Sequence, residues 1–160
     1  MKKFVLVFLC LTKFVFGEST IEIHGTSTLH DWSMISKTMD VSFDSAENKI
    51  TQLKVGVMID TLKSGDEGLD EKAYEALKIS KYNIITFLLK SHNEDGTITG
   101  VFKVLDQEKE TTLKPDVIND AKVSGSFQVK MTEFGIEPPS VFFGTIRSGD
   151  EVTVKYDIQK

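Results

Sequence analysis

Cysteine is nearly absent from this sequence, since Cys10 is the only one in 160 residues. It lies in an apolar stretch, residues 4–11, that follows Met1-Lys2-Lys3 and is typical of a secretory signal peptide. We predict that residues 1–17 are cleaved and that residues 18–160 are exported, to the periplasm or the medium. The exported chain then has no disulfide and no thiol nucleophile, so its core alone must stabilise it.

The sequence also lacks a long hydrophobic run and a basic patch. The apolar stretch is interrupted by Lys13 and is well short of the roughly 20 residues of a membrane-spanning helix, so we expect no stable membrane insertion after cleavage. The formal net charge is −5, and loss of Lys2, Lys3 and Lys13 makes it more negative. An acidic chain without a basic patch argues against nucleic acid as a partner and against charge-driven docking on anionic lipid headgroups.

Histidine is scarce, and the motifs of common active sites are missing. The three histidines occur without a helical His-x-x-x-His pair, and the chain has no glycine-flanked nucleophilic serine and no phosphate-binding glycine loop. His24 and His30, with Asp31 beside the second, leave open a metal site or a hydrolytic relay, against a hydrogen-bonded residue on a rim. The acidic residues 66–71 lack the alternating ligands of a calcium loop. We predict no enzyme, no metal and no cofactor.

What the sequence does have is a period of two, which is typical of half-buried antiparallel strands. In residues 53–59 the side chains Leu53, Val55 and Val57 share one face, and residues 122–131 and 152–158 alternate in the same way. Polar turns separate the strands, among them residues 93–96 and 106–110. Weaker patterns predict further strands at residues 20–24, 38–44, 84–90, 97–105 and 111–117.

One segment departs from this period. Leu69, Ala73 and Leu77 recur at helical spacing, which predicts a short amphipathic helix inside residues 68–80. Eight antiparallel strands in a chain of this length can close into a barrel or form two sheets. Residues 84–89 are apolar on both faces, as expected for a barrel wall with the interior on one side and the helix on the other. We therefore predict an all-β fold, an antiparallel eight-stranded β-barrel with one short helix inserted in a loop, as a single domain over residues 18–160.

The segment after residue 131 contains two of the three prolines, Pro138 and Pro139. Paired prolines remove two backbone donors and exclude an interior strand or the middle of a helix, so this segment must be an ordered loop. It nevertheless carries Phe134, Phe142 and Phe143. Large apolar side chains in a loop cover either a core or a ligand, and the sequence leaves both interpretations open.

A series of motifs, in order along the chain, resembles the YceI-like family of exported bacterial proteins. Together these motifs cover nearly the whole of the predicted exported chain. They are Gly25-Thr26-Ser27-Thr28-Leu29-His30-Asp31-Trp32, Ile59-Asp60 with Leu62-Lys63-Ser64-Gly65, Ala73-Tyr74-Glu75-Ala76-Leu77-Lys78 leading into Tyr82-Asn83-Ile84-Ile85-Thr86-Phe87, Val123-Ser124-Gly125, and Thr132-Glu133-Phe134-Gly135-Ile136-Glu137-Pro138-Pro139.

The resemblance implies a lipocalin-like barrel whose apolar cavity binds a polyisoprenoid or another long-chain amphiphile, for transport, storage or sequestration. It also implies a protein without catalysis, often a homodimer. Burial of an alkyl or prenyl tail needs no charged partner. The alternative is a non-catalytic protein-interaction module on a filled barrel or sandwich.

The site that follows from this resemblance is an apolar wall with a polar rim. His30 and Asp31 would meet the polar end of the ligand. For Trp32 the alternative is an anchor with a bonded indole N–H, and for the strand aromatics it is plain core packing. The predicted ligand-binding residues are Trp32, Val55, Val57, Phe87, Phe102, Phe127, Met131, Phe134, Phe142 and Phe143.

Overall fold

The computed structural model describes residues 17–160, which form a mostly β fold with one α-helix. Cys10 and the predicted signal peptide, apart from Gly17, lie outside the described residues. The predicted helix is confirmed as α1 (Glu67–Ala76). The strands are β1 (Thr20–Gly25), β2 (Trp32–Ser36), β3 (Met39–Ala46), β4 (Lys49–Met58), β5 (Ile84–His92), β6 (Ile98–Val104), β7 (Gln107–Leu113), β8 (Val117–Ile118), β9 (Lys122–Lys130), β10 (Ser140–Val141), β11 (Ile146–Arg147) and β12 (Glu151–Gln159).

The strands pair into two five-stranded antiparallel sheets and one small hairpin. The first sheet has the order β2-β1-β12-β9-β8, the second has the order β3-β4-β5-β6-β7, and β10 pairs only with β11. The predicted all-β class with antiparallel pairing is therefore confirmed. The predicted closed eight-stranded barrel is not, because the described strands hydrogen-bond into two separate sheets.

Alternating side chains from both sheets form the core. In β4, Leu53, Val55 and Val57 are buried while Lys54 is exposed, as the period of two predicts. The first sheet contributes Val123 of β9, which is completely buried. All of these apolar residues belong to one cluster, so the two sheets face each other across a shared interior.

The turn between β6 and β7 differs from the prediction. Residues 106–110 are not a turn, because Gln107 already begins β7 and the chain reverses at Leu105-Asp106. Leu105 takes the left-handed conformation, with φ of 56°. That conformation is uncommon for a leucine, but Leu105 is buried in a second apolar cluster with Val104, Phe134 and Ile136. Tertiary packing thus sets this turn, and the polar residues that suggested a loop lie along the edge strand β7.

Helix α1 contributes to the interior without covering the outer face of β5. The Asp66 carboxylate caps its N-terminus by accepting from the backbone N–H groups of Gly68 and Leu69, at 2.9 and 3.2 Å. Leu69 and Ala73 pack against the core cluster. The predicted position of the helix over the outer face of β5 is wrong, since Leu88 there is 52% exposed. Within residues 17–160, no helix combines the length and the apolar character that crossing a membrane requires.

Candidate functional site

A cavity of about 880 Å³ lies between the two sheets. Well-packed cores leave few voids larger than a single water molecule, so a space of this size is a feature of the fold and not a packing fault. It falls in the range of small-molecule binding pockets. Apolar side chains make most of its wall, including Ile21 and Ile23 of β1, Val152 and Val154 of β12, and Ala73 of α1.

The wall of the cavity is buried in one part and exposed in another. Ile98, Leu113, Val123 and Ile158 line it and are buried, so they belong to the buried part of the wall. The lining residues that are exposed mark where the cavity meets solvent, and we call this part of the wall the mouth. They come from the β1–β2 loop, the start of α1, the end of β9 and the segment that follows it, and they include Leu29, His30, Lys72, Lys130 and Phe142.

Most of the residues predicted from the sequence line this cavity. Phe143 and Asp31 lie outside its wall. Met34 of β2 also lines the cavity but was not predicted, because no pattern indicated that strand. Tyr156 lines it too and was not selected, although the alternation of residues 152–158 placed it on the buried face. Contact between any of these residues and a ligand stays a prediction. The predicted residues in the wall are Trp32, Val55, Val57, Phe87, Phe102, Phe127, Met131, Phe134, Phe142 and His30.

A row of aromatic rings crosses the cavity wall from one sheet to the other. Phe87 of β5 and Phe102 of β6 have ring centroids 4.8 Å apart. Phe102 lies 5.3 Å from Phe127 of β9, and Phe127 lies 6.2 Å from Tyr156 of β12. The rings are tilted, an arrangement that aromatic pairs favour. The row therefore brings side chains of the two sheets into contact. Among the described residues, no strand of one sheet is hydrogen-bonded to a strand of the other.

Trp32 is an anchor at the mouth. Its indole N–H donates to the backbone oxygen of Thr26 at 3.0 Å and to Ser148 Oγ at 3.2 Å, so it ties the β1–β2 loop to the segment before β12. The ring lies against Gly25, where an added Cβ would come within 2.2 Å of it. Only glycine leaves room for the indole at this position. The predicted anchor with a bonded indole N–H is confirmed, and the same ring lines the cavity.

The proline-bearing segment divides into a buried part and an exposed part. Phe134 and Ile136 are buried with Val104 and Leu105. The Asp150 carboxylate holds this part in place, accepting from the Thr132 hydroxyl at 2.6 Å and from its backbone N–H at 2.9 Å. These two bonds lower the pKa of Asp150. Phe134 thus belongs to the core as well as to the cavity wall, whereas Phe142 and Phe143 remain at the surface.

The three histidines make separate contacts. The His30 ring contacts the backbone oxygen of Asp31, at 2.7 Å from Nδ1. His24 pairs with Glu22 at 2.9 Å, and His92 Nδ1 accepts from the backbone N–H of Ile50 at 3.0 Å. No cluster of three or more metal-ligating side chains occurs in residues 17–160. The contacts of His30 and His24 therefore give no support to a metal site or a hydrolytic relay.

The Tyr156 hydroxyl is buried without a hydrogen-bond partner, the one such side-chain group within residues 17–160. It lies against Gly125, where an added Cβ would approach it to 2.7 Å. Burial, and to a lesser extent the nearby Asp116 carboxylate, raises the pKa of Tyr156 to about 12. Both causes act against the ionised form, so the folded protein keeps this tyrosine neutral at pH values where an unfolded chain ionises.

We expect the protein to lose stability in alkali through Tyr156. Between pH 10 and pH 12 the unfolded chain releases this proton and the folded chain keeps it, so the free energy of unfolding falls as the pH rises, by roughly 2 to 3 kcal/mol over the whole interval. Urea unfolding at pH 8 to 12 measures the loss. Tyr156→Phe should remove most of it and leave stability at pH 8 unchanged or slightly higher, because no hydrogen bond is lost. Tyr82→Phe is the control, and an equal effect of the two variants would contradict the assignment.

Comparisons with known proteins agree with this architecture. A family model for the YceI-like domain matches residues 14–160. BcnA of Burkholderia cenocepacia has a similar structure, with a TM-score of 0.71, 14% identity, and coverage of 87% of this chain and 94% of that one. A comparison with curated protein sequences finds no significant match.

Two further solved structures share the fold. A YceI protein of Campylobacter jejuni has a TM-score of 0.60 at 16% identity, covering 77% of this chain and 79% of that one. A domain from Saccharophagus degradans, described as polyisoprenoid-binding and implicated in plant cell wall breakdown, has a TM-score of 0.63 at 9% identity, covering 87% and 91%. At these identities the likeness establishes the fold.

Proposed function

The chain belongs to the YceI-like family, and we propose that it is an exported binding protein that holds a polyisoprenoid or a similar long-chain lipid between its two sheets. The observation that carries this proposal is the largely apolar cavity of about 880 Å³ between the two sheets. The Saccharophagus degradans domain, described as polyisoprenoid-binding, supports the same class of ligand.

The cavity favours a ligand with a long apolar chain. Each methylene that moves from water into such a wall contributes about 0.8 kcal/mol, so affinity rises with chain length until the cavity is full. Part of this gain is offset by the entropy lost on binding. A closed eight-stranded barrel is not required, because the two facing sheets already enclose the space.

The polar end of the ligand would lie at the mouth. His30, Lys72, Lys109 and Lys130 are among the lining residues there, and the ammonium groups of Lys72 and Lys109 pair with Glu75 and Glu133. These side chains are at least partly exposed, so a polar or anionic headgroup would keep contact with water. This arrangement supports binding and release, and it involves no chemical step on the ligand.

Export and assembly are further parts of the proposal. The signal peptide predicted for residues 1–17 would deliver the protein to the periplasm or the medium, where a long apolar chain must be shielded from water. Transport, storage and sequestration are all compatible with the cavity. The homodimer implied by the family resemblance stays a prediction.

Selectivity for chain length tests this function. Delipidated protein should take up a fluorescent polyene fatty acid at one site per chain, and a long polyprenol should displace it at a concentration at least about tenfold lower than a short prenyl alcohol does, because it buries more methylene groups. Displacement can be followed by the emission of the polyene. Equal potency of the two alcohols, or no uptake of the polyene, would contradict the proposal.

A further inference from the structure

Large apolar side chains are exposed together at the mouth. Leu29 is 66% exposed, Phe142 is 72% exposed and Phe143 is fully exposed. Leu29 belongs to residues 26–31, which we call the rim loop, and the two phenylalanines belong to residues 139–149, which we call the rim hairpin. Because Leu29 and Phe142 also line the cavity, the apolar wall of the cavity continues onto the surface at this point.

Hydrogen bonds join the rim loop and the rim hairpin into one unit. The Thr28 backbone N–H donates to the Arg147 backbone oxygen at 3.1 Å, and the Arg147 backbone N–H donates to Thr28 Oγ1 at 3.1 Å. The Gly149 backbone N–H donates to the Thr26 oxygen at 2.9 Å. The exposed side chains are therefore carried on a fixed support and not on separate loose loops.

The tip of the rim hairpin holds its phenylalanines in an unfavourable backbone conformation. Phe142 and Phe143 have φ of 52° and 56°, followed by Gly144 at 83°. Turns with successive positive φ values favour glycine and asparagine, and a bulky side chain there is strained. Phe143 does not line the cavity and is fully exposed, so core packing does not explain its presence. Strain of this kind at a surface tip points to a binding role.

The charge of the rim hairpin is positive. Arg147 is its only charged residue, and the guanidinium lies beside the turn, 3.2 Å from where a Cβ on Gly144 would be. Two carboxylates flank the hairpin along the chain: Asp150 is engaged with Thr132, and Glu137 is exposed two residues before the hairpin begins. On the rim loop the ionisable side chains are His30 and Asp31. The tip thus presents two aromatic rings next to one cation.

We propose that the rim hairpin docks the mouth of the cavity reversibly on a phospholipid bilayer. Phe142 and Phe143 enter the boundary between headgroups and acyl chains, and Arg147 lies at the phosphates. This inference rests on the proposed function, because a long-chain lipid resides in a bilayer and reaches the cavity with least exposure to water where the mouth touches that bilayer.

The size of the patch favours a bilayer over a second copy of the chain. Two phenylalanines and one leucine offer on the order of 400 Å², about half of what each partner buries in a stable protein complex. Charge gives a second distinction. The chain is acidic as a whole, so docking depends on apolar insertion, occurs on zwitterionic vesicles and changes little with salt.

Flotation of the full exported chain with phosphatidylcholine vesicles tests the proposal. We expect Phe143→Ser to lower the vesicle partition constant, obtained by varying the lipid concentration, about tenfold, the effect of keeping one phenylalanine out of the apolar boundary. Phe143→Leu, which restores an apolar side chain, should recover most of the binding. Leu88→Ser removes an exposed apolar side chain from the outer face of β5 and should leave binding unchanged. The same variants should rank identically in the rate at which a polyprenol moves from vesicles into the protein.

Several results would overturn the docking proposal. The unmodified chain could fail to bind vesicles, or Phe143→Ser could bind them as well as the unmodified chain does. A third such result is a dimer that Phe143→Ser converts to a monomer, with no vesicle binding by either chain; the exposed apolar patch would then be a contact between copies. Failure of the proposed function looks different. In that case the protein floats with vesicles in a Phe143-dependent manner but takes up no polyene and no polyprenol.

Discussion

Replacing Ala73 by tryptophan is expected to lower the affinity for a long-chain lipid on the order of a hundredfold. Ala73 lies on α1, packs against the core cluster and lines the cavity. An indole at this position occupies space that the lipid chain would fill, and displacement of about four methylenes costs roughly 3 kcal/mol of binding free energy. Titration of delipidated protein with the fluorescent polyene measures the loss.

The matched control for this change is Ala46→Trp. Ala46 ends β3 on the exposed surface and does not line the cavity, so the same substitution there should leave the affinity unchanged. The new side chain of Ala73→Trp enters an existing space, and we expect its overpacking cost to stay at the low end of the usual range of about 1–3 kcal/mol. Unaltered affinity of the folded Ala73→Trp variant would show that the lipid does not occupy this part of the cavity.

Gly100→Ala is expected to destabilise the fold by about 3–5 kcal/mol. An added Cβ at residue 100 would lie 2.3 Å from the Phe87 ring and 2.7 Å from the backbone oxygen of Leu88. The backbone atom belongs to the neighbouring strand β5 and cannot move far, so the Phe87 ring must leave its place. The cost then approaches that of removing a buried phenylalanine, a large share of the stability of a domain. Urea unfolding at neutral pH measures it.

Gly68→Ala makes the same chemical change where it should be harmless. Gly68 lies in the first turn of α1, and an added Cβ there meets only the Asp66 carboxylate, at 3.3 Å. Alanine has the higher helix propensity, so this variant should be as stable as the unmodified protein or slightly more stable. Equal stability of both variants would mean that the Phe87 ring has room to move and that the aromatic row is not fixed.

The long strands could be predicted because their side chains alternate in a simple way. In β4 the apolar residues Leu53, Val55 and Val57 all face one side, and the structure buries each of them. Barrel closure could not be predicted, because it depends on which edge strands pair across the chain, and residues at an edge carry no distinct pattern. The turn at Leu105-Asp106 was missed for a related reason, since a buried cluster of residues distant in sequence holds Leu105 in place.

The cavity wall was predicted better than its mouth. Phe87, Phe102 and Phe127 follow from the period of their strands, and the structure brings them together in one row. Whether such residues fill a core or surround a space depends on the distance between the sheets, which no single strand encodes. The roles of Phe134 and Phe143 differ although both lie in one loop, because only Phe134 reaches the second cluster.

Native mass spectrometry most directly tests the central claim that the cavity between the sheets holds a long-chain lipid. The sample is the chain exported by a bacterial host and purified without detergent, followed by lipid extraction. The account predicts a species heavier than the polypeptide by one long-chain lipid, and a matching lipid in the extract, with both reduced in Ala73→Trp and retained in Ala46→Trp. The polypeptide mass alone in every charge state, with no lipid recovered even after incubation with host membranes, would contradict the account.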